Sequence, residues 1–155
     1  MSIKLLKLSA TTLLGLAVTT AAYGADFTLT FAHVLTEDTP NARAAVKFKE
    51  EVEAKSDGRI EVKIRPAAQL GGDVEIIEQT QMGLVDIAIP PTGNLANFNE
   101  KMYLFDLPFL MTDNAAMARV LDGEVGTELL GTLESNNLHG IAMWGAGFRH
   151  MTNNV

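Results

Sequence analysis

The clearest strand in this sequence is Arg59-Ile60-Glu61-Val62-Lys63-Ile64-Arg65, in which apolar and charged side chains alternate. Such a period of two is typical of a β-strand with one buried face. Residues 27–31 alternate in the same way and predict an earlier strand. Between the two strands, Thr39 offers a helix-capping oxygen, Pro40 fits the first helical position, and apolar spacing predicts a helix to about Lys55. This order predicts a parallel pair, because parallel strands need a long connection that packs as a helix.

The rest of the sequence continues this alternation of helices and strands. The predicted elements are a helix capped by Asp73 that runs through Met82, a buried strand at 84–89, a loop at 90–94, helices at 113–121 and 125–134, and a last strand from Leu138 to Ala146. The apolar segment 103–110 contains Pro108 and fits neither period. The expected fold class is α/β, with a mainly parallel sheet flanked by helices.

The N-terminus has the pattern of an export signal. Lys4 and Lys7 precede an apolar run at 13–18, and small residues lead up to Gly24. We predict that residues 1–24 are a signal peptide, cleaved after Gly24. The alternative is a membrane anchor, but serine and threonine interrupt the apolar stretch, which is barely long enough to span a bilayer. The sequence has no cysteine, so we expect neither a lipid anchor on a cysteine nor a disulfide.

The composition is acidic, with a formal net charge of −7 that would become −9 after loss of the two signal lysines. Nucleic acids and anionic lipid surfaces bind through basic patches, so neither is an expected partner. The length is ordinary for a single domain with one core. The three histidines have no metal-ligand spacing and no accompanying acidic cluster, so we predict neither a metal site nor a cofactor.

Four segments are candidates for a ligand site, because ligands of open parallel sheets bind beyond the carboxyl ends of the strands. These segments are His33-Val34, Gly71-Gly72-Asp73, Pro91-Thr92-Gly93-Asn94 and Gly147-Phe148-Arg149. Arg149 is the strongest single candidate, since a guanidinium donates two parallel hydrogen bonds to a carboxylate. The residues alone leave alternatives open: Arg149 as a solvated surface charge, His33 as a structural histidine with satisfied nitrogens, and Asp73 as a helix cap.

Catalytic motifs are missing from the sequence. It contains no Gly-x-Ser-x-Gly elbow, no P-loop and no paired-carboxylate constellation. We therefore do not expect an enzyme.

Five segments, in order, carry a family resemblance. They are Phe31-Ala32-His33 ahead of the helix that starts at Pro40, Pro66-Ala67-Ala68-Gln69-Leu70-Gly71-Gly72, Gly83-Leu84-Val85-Asp86-Ile87-Ala88, Asp106-Leu107-Pro108-Phe109-Leu110, and Gly147-Phe148-Arg149-His150-Met151-Thr152-Asn153. On these segments the chain, from residue 25 to residue 155, resembles the solute-binding proteins of TRAP (tripartite ATP-independent periplasmic) transporters, of the C4-dicarboxylate-binding, DctP-like type.

The resemblance implies a lobe with the type II periplasmic-binding-protein-like fold. It divides the chain into the signal peptide 1–24, an incomplete first lobe 25–146, and residues 147–155 as the start of the crossing into a second lobe. Most of that second lobe, with a second cleft arginine that makes the main salt bridge to the ligand, would lie beyond Val155. We therefore expect the 155-residue chain to bind no substrate measurably, and micromolar affinity for a carboxylic acid in calorimetry would contradict this.

The resemblance also implies a function. Such a protein captures a small organic acid, a carboxylate, in the periplasm and delivers it to the TRAP membrane permease subunits, without catalysis and without a cofactor. By position, Arg149 corresponds to a cleft arginine, Asp73 to an acid near the ligand, and Val34 to a residue that is polar in sialic-acid-binding relatives. Pro91 replaces a ligand-contacting glutamate of those relatives, which disfavours sialic acid.

The candidate ligand-binding residues are thus Arg149, Asp73, Gly72, His33, Val34 and Pro91. Two other functions stay open at this point. One is a periplasmic binding protein that reports its ligand to a signalling receptor, and the other is a secreted α/β enzyme.

Overall fold

The computed structural model of the protein describes residues 24–147. Its elements are β1 (Phe27–Ala32), α1 (Pro40–Lys55), β2 (Ile60–Arg65), α2 (Asp73–Gln81), β3 (Ile87–Ala88), α3 (Thr92–Leu95), a 3₁₀ helix (Glu100–Asp106), α4 (Asn114–Leu121), α5 (Glu124–Thr132) and a second 3₁₀ helix (Leu133–Asn136). Residues 1–23 of the predicted signal peptide and residues 148–155, which include the candidate Arg149, lie outside the described residues.

The sheet has three parallel strands in the order β2-β1-β3. β1 pairs with β2 from Phe27 opposite Ile60 to Ala32 opposite Arg65. On its other side, Phe31 of β1 lies opposite Ile87 of β3. The parallel pairing confirms the predicted α/β class, and it puts the carboxyl ends of the three strands at one edge of the sheet.

Helices cover both faces of β1. Phe31 packs with Ala45 of α1 and with Val62 of β2 on one face. Ala32 points to the other face, where it packs with Ile76 of α2 and with Val85. The alternation in the sequence predicted one buried face for β1, whereas its carboxyl half is buried on both.

The predicted start of α1 is confirmed. The Thr39 hydroxyl accepts a hydrogen bond from the Ala42 amide at 3.3 Å, and Pro40 is the first helical residue. The predicted cap of α2 is wrong, because the capping position belongs to Gly72 and Asp73 is already helical. Gly83 follows α2 with φ +73°, as expected of a glycine that ends a helix.

The connection from α2 to α3 differs from the prediction in two places. Only Ile87–Ala88 of the predicted strand 84–89 pairs with β1. Leu84 is still bound to the end of α2, since its amide donates to the Gln79 carbonyl at 2.9 Å. The predicted loop 90–94 contains one helical turn, α3, which begins at Thr92.

A second apolar cluster lies apart from the sheet. It is formed by Ala96, Met102, Leu129 and Leu133. Within this part of the chain, α5 follows α4 so closely that a Cβ atom on the buried Gly126 would overlap the Leu121 carbonyl oxygen. Only glycine fits there without a backbone shift.

The predicted last strand, Leu138–Ala146, is wrong for the described residues, because residues 138–147 have no strand partner there. Leu138 and Met143 pack against the second apolar cluster instead. Gly140 lies so close to Leu130 that a Cβ atom there would be 2.6 Å from its Cδ2. The alternation of apolar residues in this segment therefore corresponds to packing against the second apolar cluster and Leu130. It does not produce a strand, because a strand also needs main-chain hydrogen bonds to a neighbouring strand.

Candidate functional site

The carboxyl edge of the sheet carries most of the predicted site residues. His33 and Val34 follow β1 directly, and the loop before Pro91 follows β3. Gly72 and Asp73 begin α2 on the way from β2 to β3. Ligands of open parallel sheets bind beyond this edge, so the order of elements places these residues where a ligand site is expected.

The loop from β2 to α2 is tied to the residues that follow β1. The Ala67 amide donates to the Leu35 carbonyl at 3.0 Å, and the Ala68 amide donates to the His33 carbonyl at 3.2 Å. Ala67 and Ala68 both have left-handed backbones, with φ of +52° and +57°. Residues with a Cβ atom adopt this conformation at a cost, so the surrounding hydrogen bonds hold the loop in a strained form.

Gly71 and Gly72 are explained by the turn and by the side chain of Glu75. Gly71 has φ +108°, a conformation that favours glycine. A Cβ atom on Gly71 would lie 3.0 Å from Glu75 Cβ, and one on Gly72 would lie 2.8 Å from Glu75 Oε2. Because neither glycine has a side chain, the backbone before α2 can lie close to the Glu75 side chain.

Asp73 joins the start of α2 to α3. Asn94 Nδ2 donates to Asp73 Oδ2 at 2.9 Å, although the two residues are 21 positions apart. Among residues 24–147, the other carboxylate oxygen, Oδ1, has no hydrogen-bond partner. Burial raises the pKa of the Asp73 carboxyl above its ordinary value, and the hydrogen bond from Asn94 opposes that rise. The Asp73 carboxylate is thus a partly buried hydrogen-bond acceptor between the start of α2 and α3.

His33 is almost completely buried, with 2% of its surface exposed. Its ring meets the Phe31 ring edge-on, with centroids 6.2 Å apart. Within the described part of the chain, neither ring nitrogen has a hydrogen-bond partner. Burial lowers the pKa of the His33 imidazole, and the Leu35 backbone opposes that shift. Because the Leu35 backbone acts on the buried ring as a hydrogen-bond partner does, a structural role and a ligand-binding role of His33 both stay predictions.

Three predicted site residues remain: Val34, Pro91 and Arg149. Val34 packs against the cluster of Ala32, Ile76 and Val85. Pro91 is exposed and precedes the first residue of α3. Arg149 lies outside the described residues, so its position relative to the others stays a prediction.

Sequence reasoning missed the contact of Asn94 with Asp73. The loop of Asn94 was a candidate segment, but the contact with Asp73 depends on how α2 and α3 lie side by side. The available signal was the position of an amide side chain in the loop after the third strand, at the same edge as Asp73.

The first turn of α2 is acidic. Asp73 and Glu75 both lie there, where the helix dipole favours negative charge. A ligand carboxylate at this helix start would be repelled by the two side-chain carboxylates. These residues are better suited to accept hydrogen bonds from ligand hydroxyl groups than to bind an anion.

Two shallow grooves lie elsewhere, over the second apolar cluster. One, of about 400 Å³, is lined by Glu100, Lys101, Tyr103, Leu104, Leu107 and Leu129. The other, of about 620 Å³, runs along residues 98–101 and 131–136. Neither groove includes a candidate residue of the sheet edge.

Residues 24–147 contain no group of three or more histidine and acidic side chains placed to hold a metal ion. No helix in the same range is both long and apolar enough to cross a membrane.

Comparison with known proteins gives consistent matches. The family described as bacterial extracellular solute-binding protein, family 7 (DctP) matches residues 31–155. The C4-dicarboxylate-binding protein DctB of Bacillus subtilis is 39% identical over 124 residues, which are 80% of this chain and 35% of DctB. The C4-dicarboxylate-binding periplasmic protein DctP of Rhodobacter capsulatus is 35% identical over 148 residues, which are 93% of this chain and 44% of DctP.

A solved structure agrees with these matches. The sugar acid binding protein DctPAm from Advenella mimigardefordensis, in complex with galactonate, is 33% identical with a TM-score of 0.76. The similarity covers 78% of this chain and 39% of that one. The chain thus spans less than half the length of each of these relatives.

Proposed function

The chain belongs to the bacterial extracellular solute-binding proteins of family 7, the TRAP solute-binding family, and from this membership we propose that it captures a small organic acid for transport. The ligand is bound in the periplasm and delivered to TRAP membrane permease subunits. No reaction is catalysed and no cofactor takes part. Residues 1–24 direct the protein to the periplasm and are cleaved on export, so mass spectrometry of the periplasmic form should give Ala25 as the first residue.

The observation that carries the proposal is the arrangement at the carboxyl edge of the sheet. Asp73 at the start of α2 and Asn94 of α3 form a polar pair there at 2.9 Å. The buried and unpaired nitrogens of His33 lie at the end of the central strand of the same edge. A small number of polar groups among apolar side chains is characteristic of a small-molecule site.

Each candidate residue has a distinct role in this proposal. Arg149 binds the ligand carboxylate, because its guanidinium presents two parallel donors. Asp73 accepts hydrogen bonds from ligand hydroxyl groups, and Gly72 lets the ligand approach the backbone. His33 supplies a further polar contact, while Val34 and Pro91 form apolar walls.

These roles favour a hydroxylated acid over a plain dicarboxylate. A second ligand carboxylate near Asp73 would be repelled, whereas a hydroxyl group would donate to it. The relatives' names include both ligand classes, since DctB and DctP are C4-dicarboxylate-binding proteins and DctPAm was solved with galactonate. The choice between the classes is therefore a question for measurement.

The test is calorimetry on the full-length protein with galactonate, L-malate and succinate, and with succinamide as the uncharged control. We expect binding of the acids, with a preference for those that carry hydroxyl groups, and no binding of succinamide. Asp73→Asn should reduce that preference, and Asp122→Asn, which removes an exposed acid at the end of α4, should leave it unchanged. Failure to bind any carboxylate would refute the proposed function. Equal preferences in the wild type and Asp73→Asn would refute only the role of Asp73.

A further inference from the structure

The outer edge of β2 is covered by side chains of α1, and we propose that this cover prevents β2 from pairing with β2 of a second copy of the chain. β2 is an edge strand in the order β2-β1-β3. An edge strand presents N–H and C=O groups that can pair with another chain. The inference concerns an interaction surface on the opposite side of β2 from β1, and it does not depend on the proposed ligand.

The register of the sheet identifies the groups that point outward. The His33 amide donates to the Arg65 carbonyl at 3.1 Å, so odd-numbered residues of β2 direct their main-chain groups toward β1. Main-chain groups alternate sides along a strand. Ile60, Val62 and Ile64 therefore direct theirs toward the outer edge.

Side chains of α1 and of Ser56, which follows it, form hydrogen bonds with these outward main-chain groups of β2. The Val62 amide donates to Glu53 Oε1 at 3.0 Å, and Lys49 Nζ donates to the Val62 carbonyl at 2.7 Å. Lys49 and Glu53 also bind each other at 2.7 Å. The Ile60 amide donates to Ser56 Oγ at 3.1 Å. Both main-chain groups of the middle outward residue are thus occupied, as they would be by a neighbouring strand.

The spacing of Lys49 and Glu53 of α1 and of Ser56, which directly follows α1, explains how one helix covers a strand edge. The three residues are four and three positions apart, so they form one stripe along the helix and its C-terminal cap. We refer to these three residues as the edge cover. Ile64 has no side-chain hydrogen bond at its outward groups among residues 24–147, so the cover protects the first two outward positions of β2.

The sequence of β2 specifies which partner would take the place of the cover. Two copies of residues 60–64, placed antiparallel about Val62, bring Glu61 of each copy opposite Lys63 of the other and Ile60 opposite Ile64. Opposite charges facing each other across antiparallel strands are stabilising. A two-fold axis through Val62 gives the self-complementary contact typical of homodimers. A second copy of the chain is therefore the partner that this edge fits.

The experiment removes the cover in the full chain with Lys49→Ala/Glu53→Ala, which leaves the net charge unchanged. The matched control is Lys47→Ala/Glu51→Ala, which removes an ion pair of the same types, spacing and helix at 3.1 Å, with side chains 66% and 46% exposed. Sedimentation velocity over a concentration series measures association, and hydrogen exchange of the peptide 59–65 reports its site. Two freed hydrogen-bonding groups per chain should promote association at about tenfold lower concentration than in the wild type.

Two further variants test the mechanism. Glu53→Gln keeps an acceptor for the Val62 amide, so it should associate no more than the wild type. Adding Lys63→Glu to the uncovered variant places Glu61 opposite a glutamate of the second copy, and should reverse the association. Reversal would support the register about Val62.

The proposal is overturned if the folded Lys49→Ala/Glu53→Ala variant associates as the wild type does, or as much as the Lys47→Ala/Glu51→Ala control. If circular dichroism shows that the double variant does not fold, Lys49→Met replaces it. That change frees the Val62 carbonyl and keeps the apolar stem of the side chain. Unchanged association of folded Lys49→Met would overturn the proposal in the same way.

Discussion

Ala67→Gly and Ala68→Gly should each stabilise the protein, although glycine usually destabilises an ordered segment. Both alanines have left-handed backbones, with φ of +52° and +57°. That conformation costs a residue with a Cβ atom roughly 1–2 kcal/mol. Glycine removes this cost but loses more chain entropy on folding, about 0.5–1 kcal/mol. The difference of these two free energies is an expected net gain of roughly 0–1.5 kcal/mol of unfolding free energy per site.

The hydrogen bonds of the loop should survive these substitutions. The donors are the Ala67 and Ala68 amides, which glycine retains, and the acceptors are the Leu35 and His33 carbonyls. The changes therefore isolate the backbone strain from the contacts that impose it. Because the two residues are adjacent, the double variant should gain less than the sum of the single ones.

The assay is urea unfolding followed by circular dichroism, with Ala44→Gly as the control in the second turn of α1. The same chemical change should cost about 1 kcal/mol there, since the helix prefers alanine. A gain in unfolding free energy for Ala67→Gly and Ala68→Gly, together with a loss for Ala44→Gly, would establish that the loop backbone is strained. If Ala67→Gly and Ala68→Gly destabilise the protein as much as Ala44→Gly does, the reasoning about the loop is refuted.

Three other predictions concern single residues. Burial lowers the pKa of His33 in the folded protein, so as the pH falls the imidazole is protonated in the unfolded chain before it is protonated in the folded one. The contribution of His33 to the unfolding free energy should therefore be constant above about pH 6.5 and decrease below that pH. The decline should be weaker in His33→Gln, and equal pH dependence of the urea midpoints in the two proteins would contradict this. Thr39→Ala should lower the unfolding free energy by about 1 kcal/mol by removing the cap of α1, while Thr39→Ser should lower it less. In the full-length protein, Arg149→Ala should weaken carboxylate binding by roughly 1.5–3 kcal/mol in calorimetry, and an unchanged affinity would remove its assigned role.

The elements that the sequence predicted well depend on neighbours close along the chain. α1 has its cap at Thr39 and its proline at Pro40, and both signals lie within one turn of the helix start. β2 alternates strictly, and the structure places a parallel strand at the predicted residues. Local chemistry decides such elements, so a single sequence is enough to predict them.

The wrong predictions depend on contacts between distant residues. Asp73 has the right residue type for a cap, yet its carboxylate binds Asn94, which no local pattern indicates. Residues 138–146 have a strand-like pattern, but Leu138 and Met143 pack on helices. Strand pairing and side-chain contacts of this kind join residues far apart in sequence, so they depend on how the helices and strands pack together and cannot be predicted from local sequence patterns.

The sequence predicted where most of the candidate residues lie in the fold. His33, Val34, Gly72, Asp73 and Pro91 all lie on the loops and helix starts at the carboxyl edge of the sheet, and ligand binding at this edge stays a prediction. The burial of His33 without partners for its nitrogens could not be predicted, because it depends on the layers above and below β1. The contact of Arg149 with a ligand stays a prediction.

The close approach of α4 and α5 at Gly126 has a consequence at the level of the gene. A single-base change in a glycine codon yields another glycine, a residue with a side chain, or a stop. Every missense change at this codon therefore adds a Cβ atom that would overlap the Leu121 carbonyl oxygen. Only silent substitutions should persist under selection at codon 126, even where the codons of the exposed helix faces drift.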